Sequence, residues 1–190
     1  VPAVNCLCGG KGYIVKDGEK VACDCSKVRR LAVYFPDAAS AMDNPTEVMD
    51  EVLAMQFEDN VFCRLPRTAT EGRTNLVKMS YLMVHDCPTY KILNVYELIE
   101  VYLSRHPVYS SLFQMTFPAT ILMEGYNEFP NVRQNDAILQ FLDIAKRGGG
   151  KVLYLSRKSV TEQALVEYFK QNSWQLLEMT KNVEGGKRVV

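Results

Sequence analysis

From residue 60 onward, short apolar runs alternate with amphipathic stretches. The pattern predicts strands at Asn60–Leu65, Tyr90–Val95, Ala119–Met123 and Lys151–Leu155. Helices are expected at Asn75–Val84, Tyr96–Leu103, Asn135–Arg147 and Thr161–Gln171. In Asn135–Arg147 the residues Ile138, Leu139, Leu142 and Ile144 fall near one side, and Gly148-Gly149-Gly150 ends the helix. Thr120-Ile121-Leu122-Met123 has no polar alternation, as expected of a strand buried on both faces. Strands and helices alternating at this spacing mean an α/β fold, a parallel sheet with helices on both faces.

The first 60 residues read differently. Four of the six cysteines, Cys6, Cys8, Cys23 and Cys25, form two C-x-C pairs. Between them lie β-forming residues around Asp17-Gly18, a dipeptide suited to a two-residue hairpin turn with φ > 0 at both positions. Folding there brings the pairs together, and Gly9, Gly10 and Gly12 let the chain wrap tightly after the first pair. Four converging thiols without a secretory context argue for a tetrahedral structural Zn²⁺. Free thiols or an oxidised pair are the alternatives. Four protein ligands leave no open metal position, so metal catalysis is not expected. Cys63 and Cys87 read as small buried apolar residues. Ser26–Ala41 reads as a basic-then-apolar link, and Asn44-Pro45-Thr46-Glu47 as the start of a helix carrying Val48, Val52 and Met55. The divisions drawn from this are a zinc-binding hairpin module at 1–30, an acidic linker and helix at 31–58, and the α/β domain at 59–190.

Composition adds limits. The chain has 190 residues, is 47% hydrophobic and carries no net charge, so it does not advertise itself as a nucleic-acid binder. The charge is uneven. Leu31–Cys63 holds Asp37, Asp43, Glu47, Asp50, Glu51, Glu58 and Asp59 with no basic residue, whereas the chain from Arg133 onward is mildly basic. An acidic arm and a basic body suit protein docking and weak DNA contact, or are merely solvated faces. No apolar run approaches the roughly 20 residues that span a bilayer. With no signal-peptide pattern visible, a cytoplasmic location is expected. His85 and His106 have no nucleophile nearby in the sequence, and Trp174 reads as packed.

The stretch Arg67–Thr74 lies between a strand and a helix, where nucleotide-binding folds place the phosphate loop G-x-x-x-x-G-K-[ST]. Only Gly72 and Thr74 fit; Arg67 replaces the first glycine and Arg73 the lysine. Four further stretches follow in order: Asn94-Val95-Tyr96-Glu97-Leu98, Ile121-Leu122-Met123-Glu124-Gly125, Val152-Leu153-Tyr154-Leu155-Ser156-Arg157 and Leu176-Leu177-Glu178-Met179-Thr180. In this order, residues 60–183 resemble the AAA+ domain of bacterial and phage replicative helicase loaders of the DnaC and DnaI type, and related transposition ATPases. Some of these loaders also carry an N-terminal zinc module.

The resemblance implies a P-loop NTPase sheet of five mainly parallel strands, with Val61–Leu65 central and beside Thr120–Met123. It also implies an ATP and Mg²⁺ site, and this sequence departs from that site at each position. Arg73 is longer and planar where a compact ammonium is needed, and Glu71 adds negative charge to the cradle. Glu124 stands for the aspartate that holds Mg²⁺, Gly125 for the acid that orients water, Arg157 for the sensor asparagine and Gln175 for the arginine finger. Glu128 could replace the missing acid only if its loop bends unusually. The implied function is a DNA-replication accessory protein acting as a non-catalytic adaptor. It would bind a partner such as a replicative helicase, with weak single-stranded DNA contact, in a bacterial or phage-infected cell. The alternative is an active but atypical ATPase loader using Arg73, Thr74 and Glu124. An unrelated α/β domain also remains open.

Overall fold

The computed structural model describes residues 7–9, 11–35, 55–65, 71–87, 89–104, 119–125, 132–157, 163–178 and 187–188. The expected helix after Asn44 lies outside them. The chain forms two compact units, one from 1–56 and 68–86, the other from 57–67 and 87–190.

The first unit opens with the hairpin of β1 (Tyr13–Lys16) and β2 (Glu19–Ala22), antiparallel with Lys16 opposite Glu19. Asp17 and Gly18 both have positive φ, 52° and 85°, the geometry that matches the twist of the flanking strands. Helix α1 (Asp24–Tyr34) follows where the sequence suggested a link. Cys25, Val28, Leu31 and Phe35 recur every three to four residues and supply its inner face. Helix α2 (Glu71–Val84) begins four residues earlier than expected, so Gly72, Arg73 and Thr74 form its first turn. It is buried on nearly every side. Even Lys78 is buried, with its ammonium donating to Asn75 Oδ1 at 3.1 Å and lying 5.8 Å from the Phe35 ring centre.

The second unit is the sheet. Its strands are β3 (Asn60–Arg64), β4 (Tyr90–Asn94), β5 (Thr120–Gly125), β6 (Lys151–Ser156), β7 (Gln175–Glu178) and β8 (Lys187–Arg188). Their order is β4-β5-β6-β3-β7-β8, with the first five parallel and β8 antiparallel. The expected neighbours β3 and β5 are therefore not adjacent. Strand β6 lies between them, pairing Val61 with Leu153 on one side and Leu153 with Leu122 on the other. It is the most apolar of the strands, so the sheet's centre gives it buried neighbours on both sides.

Helices α3 (Val95–Ser104), α4 (Val132–Arg147) and α5 (Gln163–Gln171) share one core with Phe62, Ile121, Met123, Val152 and Tyr154. Asn94 Oδ1 accepts the Tyr96 N–H at 2.8 Å and caps α3. On α4 the buried face is Ala137, Ile138, Phe141, Leu142 and Ala145; Leu139 and Ile144 sit at its margins. Gly149, at φ 73°, ends the helix, with the Gly150 N–H returning to the Ala145 carbonyl at 2.8 Å. Trp174 packs on Phe169 with ring centres 4.8 Å apart, as its position suggested. The other sheet face, with Val61, Cys63, Leu65, Leu122, Leu153 and Leu155, is equally buried. This is an α/β fold with a five-stranded parallel sheet flanked by helices, compatible with a P-loop-like fold. None of the helices is long and apolar enough to cross a membrane, among the described residues.

Candidate functional site

The hairpin turn returns β2 along β1 and delivers Cys23 and Cys25 to the loop that carries Cys8. The three sulfurs lie within 4.8 Å of one another and all three residues are buried. Cys8 Sγ and Cys25 Sγ are 3.4 Å apart. Thiolates around a tetrahedral Zn²⁺ stand about 3.8 Å apart, given a Zn–S distance of about 2.3 Å. The cluster therefore has the dimensions of a metal site and can hold an ion such as zinc. Cys6, the fourth expected ligand, lies outside the described residues.

Backbone geometry supports the cluster. The Gly12 N–H points at Cys8 Sγ, 3.3 Å away, and the Gly12 carbonyl accepts the Cys23 N–H at 2.9 Å. Gly12 has φ 79°, a conformation that strains any other residue. Cys23 is the residue at the start of α1, and Cys25 lies in its first turn, where the helix dipole favours negative charge. Ile14 and Val28 pack over the sulfurs. Val28 also packs on Leu76 of α2, alongside Met55 and Met83. Lys27 pairs with Asp86, just past the end of α2, at 3.2 Å. Val28 thus links the cysteine cluster to α2, a contact the sequence reading did not suggest. The helical spacing of Cys25, Val28 and Leu31 was the available signal. Cys63 is fully buried in β3, and burial pushes its thiol up to about 12, so it is inert at neutral pH. Cys87 is half-buried and hydrogen-bonds Thr120 Oγ1 at 2.8 Å.

The nucleotide-type residues separate as follows. Glu124 and Arg157 lie at the carboxyl ends of adjacent strands, with Glu124 opposite Leu155 and Gly125 opposite Ser156. Arg157 lies one residue beyond β6, and both it and Glu124 are half-buried. The strand order reverses at β3, and such edges are where open α/β sheets bind ligands. Gly72, Arg73 and Thr74 belong to the other unit, while Arg67 and Glu128 lie outside the described residues. Gly125 is tightly enclosed. A Cβ there would stand 3.1 Å from Val95 Cβ, 3.2 Å from Val95 Cγ2 and 3.6 Å from the Tyr154 ring. Gln175, which the resemblance set against the arginine finger, accepts the Glu58 N–H at 3.0 Å. At the carboxyl ends of β3 and β7, Arg64 pairs with Glu178 at 2.7 Å. His85 packs edge-on against Tyr81 with ring centres 4.5 Å apart. No protein-family model, curated protein or solved structure matches the chain.

Proposed function

We propose that this protein is a non-catalytic adaptor of DNA replication, similar in plan to a helicase loader. A structural Zn²⁺ on Cys6, Cys8, Cys23 and Cys25 would hold its N-terminal module. An AAA+-like sheet would serve as scaffold without turning over ATP. The observation that carries the reading is the enclosure of Gly125. ATP hydrolysis on such a sheet needs a second carboxylate beside Glu124 to orient water. A side chain starting at Gly125 would crowd Val95 at 3.1 Å and could be placed only if Val95 gave way. Arg73 in place of a lysine and Arg157 in place of a sensor amide point the same way.

The partner would be a protein such as a replicative helicase, with single-stranded DNA as a second ligand. The test is titration with a fluorescent ATP analogue, with and without Mg²⁺. The adaptor reading expects weak binding that Mg²⁺ does not strengthen. Tight, Mg²⁺-dependent binding would favour the atypical ATPase loader, with Thr74 and Glu124 as metal contacts and Arg73 on the phosphates.

A further inference from the structure

Residues 7–35 carry six basic side chains, Lys11, Lys16, Lys20, Lys27, Arg29 and Arg30, against Asp17, Glu19 and Asp24. All the basic ones except Lys27 are exposed. A Zn²⁺ bound by four thiolates would carry about two negative charges, and the module stays positive even so. The same segment holds Leu7, Tyr13, Val15, Val21, Val33 and Tyr34 among the exposed large hydrophobic residues. On α1 these features converge. Arg30 and Tyr34 are four residues apart, as are Arg29 and Val33, so the four form one continuous face at the helix's end. Val33 is 78% exposed and Tyr34 64%. The helix's one acidic residue, Asp24, sits at its opposite end. On the hairpin, Tyr13 and Val15 share a face with Ala22 and Lys20, and the Lys20 ammonium lies 4.9 Å from the centre of the Tyr13 ring.

We propose that the Arg29, Arg30, Val33 and Tyr34 face of α1 binds single-stranded nucleic acid, with the Tyr13–Lys20 pair as a second contact point. Exposed tyrosines beside arginine and lysine are the elements such binding uses. Rings stack on unpaired bases whatever their identity, while guanidinium and ammonium groups follow the phosphates. A duplex keeps its bases stacked and offers this face only its backbone. An acidic protein would be drawn by the charge but gives the two rings no bases. The proposal rests on the adaptor reading for its biological setting only. It has a separate readout, because none of these residues takes part in nucleotide binding or metal ligation.

The experiment uses the full, zinc-loaded chain and fluorescence anisotropy with labelled oligothymidylate, an abasic oligonucleotide of equal length, and a duplex. The expected order is oligothymidylate first, with the abasic strand and the duplex clearly weaker. Tyr34→Ala should weaken oligothymidylate binding roughly tenfold and leave the abasic strand unchanged. Arg29→Ala with Arg30→Ala should lower the slope of log affinity against log salt by about 1.4, at about 0.7 per phosphate contact. All four side chains are exposed or surface-facing, and unchanged zinc content and melting temperature would show the variants are folded. Absence of binding at low ionic strength overturns the proposal. So does abasic binding equal to oligothymidylate, or affinity that these variants leave unchanged.

Discussion

Replacing Gly125 by alanine tests the packing on which the functional reading depends. The new Cβ would sit 3.1 and 3.2 Å from two carbons of Val95, against an optimum of about 3.5–4.0 Å for carbon pairs. Val95 is 2% exposed in the main core and cannot swing into solvent. Overpacking a buried site costs about 1–3 kcal/mol. Gly125 does not have positive φ, so alanine also recovers about 0.4–1 kcal/mol by restricting the unfolded chain. The net expectation is a loss of about 1–2 kcal/mol, or about 3–6 °C in melting temperature for a chain of this size. Glutamate at the same position should be worse, since its longer side chain must leave the same crowded Cβ. The control is Val95→Ala, which alone costs about 2 kcal/mol but opens room for the new methyl. The double variant should therefore be more stable than the sum of the single effects by about 1 kcal/mol. Melting followed by circular dichroism, with urea titration as a check, measures all four proteins. A neutral or stabilised Gly125→Ala, or strictly additive effects, would refute the steric argument and reopen the position to a catalytic acid.

Further expectations follow from the same contacts. Elemental analysis of protein never exposed to chelator should give one zinc per chain, and Cys25→Ser should lose it. Chelation should speed hydrogen exchange in the hairpin, α1 and α2 together, because Val28 packs against both the sulfur cluster and Leu76; exchange confined to the hairpin would contradict that link. Between about pH 9 and pH 12 the unfolded Cys63 thiol releases its proton while the folded one keeps it, so the folded state binds more protons and stability falls as pH rises. Cys63→Ala should be less stable at pH 7 yet lose less on going to pH 10, as read from melting curves. Arg64→Ala breaks a half-exposed pair with Glu178 and should cost less than about 1 kcal/mol.

Much of this architecture was legible because it rests on local rules. Asp17-Gly18 specified a turn that few other dipeptides make, and the hairpin register then carried three of the cysteines to one place. The apolar runs at β3, β5 and β6 announced strands buried on both faces. Strand order was not legible in the same way. Placing β6 between β3 and β5 depends on long crossovers, and periodicity says nothing about which strands meet. Helix α1 was missed because its N-cap is Cys23, which makes no side-chain cap, and its basic residues masked a narrow apolar stripe. The early start of α2 was hidden by Gly72 and Thr74, both poor helix formers, which packing overrode. The resemblance marked Gly125 as a position where an acid would be expected, but only the fold shows how near Val95 stands to it.

The central proposal is that this protein does not hydrolyse ATP. Its most direct test is turnover by the zinc-loaded protein at millimolar Mg²⁺, compared with a variant carrying both Arg73→Ala and Glu124→Gln. The account predicts equal and negligible rates in the two proteins, with melting temperatures showing both are folded. Turnover clearly above the double variant would contradict it and make the protein an atypical ATPase.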